Sequence, residues 1–247
     1  CSQSEESLWL NDGSGVFVDA SGQLPVLSNH FTGAIATGDV DGDGDHDLMV
    51  GGEEHCWSGG YGGGFGGCET YGTEVFVNDG FGVFDLRADP FAASPFQPLA
   101  SQMIVLFDAT GDSADEAFLG GVDQSSLWIN DGTGGFAWNA NLIADFGSRP
   151  ASATPFDADL DGDLDLLIAY SYVGFARDAH LFVNDGTGAM TWDSSQFVDF
   201  GANCAVVTDL DADGDGDVVL GGNFDGRRYT NDGAGAFIDA GPIADYQ

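Results

Sequence analysis

The sequence predicts an all-β protein built from a repeated unit of about four strands. Two short elements recur along the 247 residues, an Asn-Asp-Gly tripeptide that occurs five times and an aspartate-rich segment that occurs four times. Glycines, 39 in number, interrupt the chain, and no segment shows sustained helical periodicity. We therefore expect a single repeat domain that spans residues 1–247.

The tripeptide predicts tight hairpins. Each copy follows a short strand-like run, such as SLWL or HLFV, and precedes a glycine and an apolar pair. Asn, Asp and Gly tolerate positive φ, so these steps between apolar runs favour two antiparallel strands joined by a tight turn. The five copies begin at Asn11, Asn78, Asn130, Asn184 and Asn231.

The acidic segments alternate with the hairpins, and each lies between a run of small residues and a run of apolar residues. Their first aspartates are Asp39, Asp108, Asp157 and Asp209, which are 69, 49 and 52 residues apart. This spacing suits a unit made of strand, acidic loop, strand and hairpin. The predicted organisation is a half unit at 7–20 followed by four full units at about 33–88, 101–140, 151–194 and 203–240.

The combination of Asp-x-Asp-x-Asp-Gly-x-x-Asp loops, apolar strands and Asn-Asp-Gly hairpins resembles the FG-GAP/VCBS repeat family, to which the integrin α-subunit propeller belongs. The resemblance extends from Leu8 to Asp239. It implies a β-propeller of four-stranded blades with calcium in the loop between the first two strands of a blade. Four full units and an amino-terminal half unit are fewer than the family usually has. A small five-bladed ring, a fragment of a longer array and a subunit completed by its neighbour all stay open.

The resemblance also implies metal ligands at positions 1, 3, 5 and 9 of each loop, a glycine at position 6 and a backbone carbonyl at position 7. Oxygen-only ligation favours Ca²⁺ over zinc or copper. Without a cation, neighbouring carboxylates would repel one another by up to ~1 kcal/mol per pair even in water. The three complete loops contain Asp39, Asp41, Asp43, Asp45 and Asp47; Asp157, Asp159, Asp161, Asp163 and Asp165; and Asp209, Asp211, Asp213, Asp215 and Asp217.

The second loop is a weaker candidate, with Asp108, Asp112 and Glu116 at positions 1, 5 and 9. Thr110 replaces the aspartate at position 3, and Ser113 replaces the glycine at position 6. Weak calcium binding and no binding are both open for this loop, so we expect three calcium sites and leave the fourth undecided.

The net charge limits the partners. Five basic residues against 41 acidic ones give a formal charge of −36, which excludes nucleic acid and anionic membrane surfaces as partners. No apolar run is long enough to span a bilayer. We expect an extracellular or cell-surface protein whose partner is a protein or glycan of the cell surface or matrix, and head-to-tail self-assembly is one interpretation of the incomplete unit count.

Four cysteines allow three pairings. Cys56 and Cys68 bracket a glycine-rich run, so we predict a disulfide between them; Cys1 and Cys204 then pair with each other or stay unpaired. Cys1, followed by small polar residues, also suits a lipid-modified amino terminus. The even count of cysteines agrees with an oxidising exterior.

The segment Glu53–Thr70 is the one insertion without a counterpart in the other units. Its aromatic residues Trp57, Tyr61 and Phe65 could contact a sugar or a partner protein, or pack inward.

The sequence contains no Gly-x-Ser-x-Gly or His-Glu-x-x-His motif, so we expect no enzymatic activity. The main interpretation is an extracellular calcium-binding structural or adhesive repeat module, a subunit of a surface or filamentous assembly. The alternative is a carbohydrate-binding or polysaccharide-processing propeller domain.

Overall fold

The computed structural model describes residues 7–25, 32–52, 54–56, 68–70, 72–92, 101–121, 125–138, 149–171, 179–197, 200–222 and 225–243. These residues form an all-β fold with one short 3-10 helix at Ser21–Gln23. The prediction of an all-β protein built from four-stranded antiparallel sheets is confirmed. None of the described helices is long and apolar enough to cross a membrane.

Four of the sheets have four strands each. The first contains β3 (Thr32–Gly38), β4 (Asp47–Gly52), β7 (Glu74–Asn78) and β8 (Phe84–Leu86), and the second contains β9 (Met103–Phe107), β10 (Glu116–Gly120), β11 (Ser125–Asn130) and β12 (Phe136–Trp138). The third contains β13 (Arg149–Phe156), β14 (Asp165–Ser171), β15 (Ala179–Asn184) and β16 (Met190–Asp193). The fourth contains β17 (Cys204–Thr208), β18 (Asp217–Gly221), β19 (Gly226–Thr230) and β20 (Ile238–Pro242).

The two recurrent sequence elements, the acidic loop and the Asn-Asp-Gly turn, occupy the same two connections in each four-stranded sheet. The acidic loop joins the first strand to the second, and the Asn-Asp-Gly turn joins the third strand to the fourth. Each strand pairs with the strand before it in the sheet, so every sheet is an antiparallel meander. This arrangement brings all the acidic loops to equivalent ends of their sheets.

The sheets stack in chain order, and the first strands β3, β9, β13 and β17 contact one another in succession. Apolar side chains fill each gap between neighbouring sheets. Met49 and Val75 meet Leu119 and Trp128 in the first gap, Phe118 and Leu127 meet Ile168 and Phe182 in the second, and Leu167 and Leu181 meet Val218 and Leu220 in the third. Burial of this apolar surface stabilises a propeller-like stack.

The amino-terminal hairpin, β1 (Trp9–Asn11) and β2 (Phe17–Asp19), forms a separate two-stranded sheet. The segment around it lies over the outer face of the first sheet, where Leu8 and Leu24 face Ile35 and Phe76 across an apolar cavity of about 200 Å³. This hairpin lies within residues 7–20, the segment for which the sequence predicts a half unit.

The insertion contributes a second small ribbon, β5 (Glu54–Cys56) with β6 (Cys68–Thr70), in which Cys56 and Cys68 are opposite each other in register. Their side chains lie outside the described residues, so the predicted disulfide stays a prediction. Cys204 is an exposed free cysteine, and Cys1, its predicted alternative partner, lies outside the described residues.

Candidate metal centres in the acidic loops

Each acidic loop coils around the carboxylate of its first aspartate. Asp39 Oδ1 accepts a hydrogen bond from Gly42 N at 2.8 Å, and Asp39 Oδ2 accepts one from Gly44 N at 3.0 Å. This coil places the residues at positions 4 and 6 in the left-handed region, at φ 76° for Gly42 and 94° for Gly44. The third and fourth loops adopt the same conformation with Leu160 and Ala212 at position 4, although side chains there disfavour positive φ.

Three of the four loops bring three carboxylates together, with one oxygen of each within 4.8 Å of the others. In the first loop the groups at positions 1, 3 and 5 converge, whereas in the third and fourth loops those at positions 1, 3 and 9 do. The groups are Asp39, Asp41 and Asp43; Asp157, Asp159 and Asp165; and Asp209, Asp211 and Asp217. The remaining predicted ligands, Asp45, Asp47, Asp161, Asp163, Asp213 and Asp215, lie in the same loops but outside these groups.

Several carboxylate oxygens in these loops are buried and have no hydrogen-bond partner among the described residues. They are Asp41 Oδ1 in the first loop, Asp157 Oδ1 and Asp159 Oδ1 in the third, and Asp215 Oδ1 in the fourth. Burial, together with the neighbouring carboxylates, raises the pKa of Asp41 and of Asp159 above the ordinary aspartate value. Buried acceptors without donors are costly, and a bound cation would satisfy them. The donor set, which is all oxygen, fits a hard cation such as calcium.

The aspartate at position 9 connects its loop to the hairpin of the same sheet. Asp165 Oδ2 accepts from Ala158 N at 2.7 Å, and its Oδ1 accepts from Asn184 N at 2.8 Å. Asp47 and Asp217 make the equivalent pairs of bonds in the first and fourth sheets. All three side chains are buried, and burial raises the pKa of Asp165 to about 6. This residue therefore supports the loop structurally in addition to its predicted ligand role.

The side chains at position 7 point towards the Asn-Asp-Gly turn. A Cβ atom added to Gly80 would lie 2.3 Å from Asp45 Oδ2, and one added to Gly186 would lie 2.3 Å from Asp163 Oδ2. Glycine is therefore favoured at both positions for two reasons: the backbone has positive φ, and any larger side chain would clash with the neighbouring carboxylate. The predicted ligand at position 7 is the backbone carbonyl, and it stays a prediction; the carboxylates of Asp45 and Asp163 lie against the turn glycines.

The second loop keeps the conformation of the others, but its carboxylates do not converge as they do in the other three loops. Asp108 accepts from Gly111 N and Ser113 N at 2.7 and 2.9 Å, and Ser113 takes the left-handed position at φ 76°. Among the described residues, this loop contains no group of three converging carboxylates. Glu116 Oε2 accepts from Ala109 N at 2.7 Å, while burial raises the pKa of Glu116 to about 7. A protonated glutamate can occupy this position without a cation.

Asparagine side chains link neighbouring sheets, a role that the sequence reasoning missed. The Nδ2 atoms of Asn130, Asn184 and Asn231 donate to the position-2 carbonyls of Val40, Ala109 and Ala158 in the preceding sheet, at 2.9, 2.8 and 2.7 Å. The same atoms also donate to position-8 carbonyls of their own sheets. The signal in the sequence was that every hairpin uses asparagine, although aspartate or glycine would also form the turn.

The predicted ligand-contact residues Trp57, Tyr61 and Phe65 lie outside the described residues. The structure instead shows an exposed tryptophan on a sheet, Trp192 in β16, whose ring centroid lies 4.9 Å from that of His180. His180 also packs against Tyr170 at 5.1 Å. Burial lowers the pKa of His180 to about 4, so the imidazole is neutral at physiological pH.

No model of a known protein family matches the chain, and no curated protein matches it either. Among solved structures, a lectin of Agrocybe aegerita, described by its specific recognition of non-reducing terminal N-acetylglucosamine, is similar with a TM-score of 0.58 and 20% sequence identity. The likeness is one of fold. The alignment covers 94% of this chain, and the chain spans 59% of the lectin's length. It agrees with the propeller-like stack of sheets described above.

Proposed function

We propose that this protein is a glycan-binding, propeller-like module whose acidic loops bind calcium. The observation that carries the glycan-binding part is the likeness of nearly the whole chain to a lectin that recognises terminal N-acetylglucosamine. This favours the carbohydrate-binding alternative of the sequence analysis over a purely adhesive repeat module. The proposed location is extracellular, where glycans and calcium are both abundant.

Trp192 is the described residue best placed to contact a sugar. Its side chain is 41% exposed, and it lies on a strand of the third sheet rather than on a loop. Contact with His180 restrains the indole, so that little conformational freedom would be lost on binding a ligand. An aromatic ring with a polar N–H can pack against the apolar face of a pyranose and donate to one of its hydroxyls.

The test is binding to a glycan array that includes glycans with terminal N-acetylglucosamine, in calcium and after addition of a chelator. We expect binding in calcium, and Trp192→Ala should weaken it about tenfold or more, equivalent to about 1.4 kcal/mol. Trp9→Ala is the matched control, because Trp9 is also exposed but lies in the amino-terminal hairpin. Absence of binding to every glycan by the calcium-loaded protein would contradict the proposal.

Calcium would have a structural role in this proposal. Asp157, Asp159 and Asp165 would hold it in the third loop, and the corresponding groups would hold it in the first and fourth. The ion would neutralise converging carboxylates and satisfy the buried oxygens of Asp157 and Asp159. Modules of this kind in the extracellular space bind calcium with Kd of about 10⁻⁴–10⁻³ M. Membership of the FG-GAP/VCBS family is part of this proposal.

A calcium-dependent structural or adhesive module without glycan binding is the second candidate, favoured by the three carboxylate groups alone. Calcium binding by calorimetry together with a blank glycan array would support it. Neither candidate requires catalysis, and release of products from an acidic polysaccharide would contradict both.

A further inference from the structure

We propose that the open face of the fourth sheet binds the amino-terminal hairpin of a second copy of this chain, in a head-to-tail contact. The basis of this inference is the interface between neighbouring four-stranded sheets, which repeats three times within the molecule and is formed by protein atoms alone.

One side of each repeated interface is the residue at position 2 of the acidic loop. Val40, Ala109 and Ala158 occupy this position in the first three sheets and are at most 1% exposed, because the next sheet covers them. Their carbonyls accept the asparagine amides described above. Leu210 occupies the same position in the fourth sheet and is 43% exposed. The fourth sheet thus presents the interface surface without its cover.

The other side of each interface is the Asn-Asp-Gly-x-Gly turn of the following sheet. In the three interfaces between four-stranded sheets, a Cβ atom added to the second glycine would meet the preceding sheet, Val40 O for Gly134, Thr110 for Gly188 and Asp159 for Gly235. A Cβ atom added to the equivalent glycine of the amino-terminal hairpin, Gly15, would meet none of the described atoms within 4 Å. Asn11, which begins this turn, is exposed. The hairpin therefore presents the complementary surface.

Large exposed apolar side chains are concentrated in the amino-terminal hairpin, the first sheet next to it and the fourth sheet; the first sheet exposes Ile35, Phe81, Val83 and Leu86. Among the described residues, the large exposed apolar side chains of the two middle sheets are Leu160 and Trp192 alone. The hairpin exposes Trp9, Leu10, Val16, Phe17 and Val18, and the fourth sheet exposes Val206, Leu210, Ile238 and Ile243. Apolar patches on an otherwise strongly acidic surface are typical of protein–protein contacts.

A second copy can cover each end of the stack. Its hairpin covers the open face of the fourth sheet, and the fourth sheet of another copy covers the hairpin. The amide of Asn11 would donate to the Leu210 carbonyl, as Asn231 does to Ala158 at 2.7 Å. Such a contact is heterologous, so it continues into a ring or a filament. The charge of −36 on each copy opposes association, and screening by salt should strengthen it.

Sedimentation velocity of the chain across a wide range of concentration tests the proposal. We expect dimers and larger species that increase with concentration and with salt. Leu210→Asp blocks one end and Val16→Asp blocks the other, so each variant alone should be monomeric. A mixture of the two variants should form a one-to-one dimer and nothing larger. The intact hairpin of Leu210→Asp binds the intact fourth sheet of Val16→Asp, and the two ends that remain in this dimer are the blocked ones.

Ala137→Asp is the control, since Ala137 is exposed on the outer strand β12 of a middle sheet, away from the acidic loops, and this variant should assemble like the wild type. Circular dichroism establishes that each variant is folded. A wild-type chain that is monomeric at all concentrations and salt levels would overturn the proposal. Dimers that persist in both blocked variants would also overturn it, because they would require a different interface.

Discussion

The side-chain amide of Asn184 in the third sheet donates to the backbone carbonyl of Ala109 in the second sheet at 2.8 Å. The same amide donates to the Leu164 carbonyl at 3.0 Å, and its oxygen accepts from Gly186 N at 3.3 Å. One buried side chain therefore joins the turn of its own sheet, the acidic loop of its own sheet and the acidic loop of the neighbouring sheet. The structure couples sheet stacking to loop conformation through this residue.

Replacement of this asparagine should be costly. Asn184→Ala leaves the carbonyls of Ala109 and Leu164 buried without donors, and we expect a loss of about 2–4 kcal/mol in the free energy of unfolding. Asn78→Ala is the control, because the side-chain amide of Asn78 donates its described hydrogen bond to His46 O, which lies in the same sheet. The control should lose about 1 kcal/mol. Equal losses in chemical denaturation would contradict the importance of the cross-sheet bond.

Loss of one charged ligand should weaken one calcium site. Asp159→Asn replaces a carboxylate of the third group with a neutral amide, and calorimetric titration over the calcium range that saturates the wild type should show two ions bound instead of three. At a calcium concentration of about 100 times Kd, each site contributes about 2.7 kcal/mol, so the variant should gain less thermal stability from calcium.

Asp185→Asn is the control for this loss of charge, because Asp185 lies in the exposed hairpin turn of the same sheet, where its Oδ1 accepts from Thr187. This variant should bind calcium like the wild type. An unchanged stoichiometry in Asp159→Asn would show that the third loop is not a calcium site.

Two turn glycines with the same backbone conformation should differ in their tolerance of alanine. Gly186 and Gly132 have φ of 76° and 74°, so alanine is strained to a similar extent in both. At Gly186 the added methyl would lie 2.3 Å from Asp163 Oδ2, whereas at Gly132 it would meet none of the described atoms within 4 Å. We expect Gly186→Ala to lose about 1–2 kcal/mol more stability than Gly132→Ala in urea unfolding. A similar loss in both variants would mean that the Asp163 carboxylate moves freely.

His180 should make stability depend on pH. Its pKa is lowered to about 4 in the folded protein by burial, whereas the unfolded chain takes up the proton near the ordinary value of 6.5. The free energy of unfolding is therefore unaffected by this titration above pH ~6.5. It decreases as the pH falls towards ~4, by at most about 3 kcal/mol.

Because many carboxylates titrate in the same range, the measurement is the difference in unfolding free energy between the wild type and His180→Phe. Phenylalanine keeps the ring beside Tyr170 and Trp192 but cannot be protonated. The difference should shift in favour of the variant as the pH is lowered from 7 to 4. A difference that does not change with pH would contradict the lowered pKa.

The features that depend on local chemistry follow from the amino-acid sequence alone. The turns at Asn184-Asp185-Gly186 and its copies follow from residues that tolerate positive φ, and the acidic loops follow from carboxylates at a fixed spacing. Both elements form wherever their own few residues are present, so the repeat, the strands and the candidate metal groups could be predicted without a structure.

The features that depend on contact between units became visible in the folded structure. The donation from Asn184 to Ala109 joins residues 75 positions apart, and the pair formed by Trp192 and His180 exists because two strands of one sheet lie side by side. The exposure of Leu210, at a position that is buried in the other three sheets, is likewise a property of the stack. Such relationships have no local sequence signal, because an apolar residue at the same loop position is buried or exposed according to whether another sheet covers it.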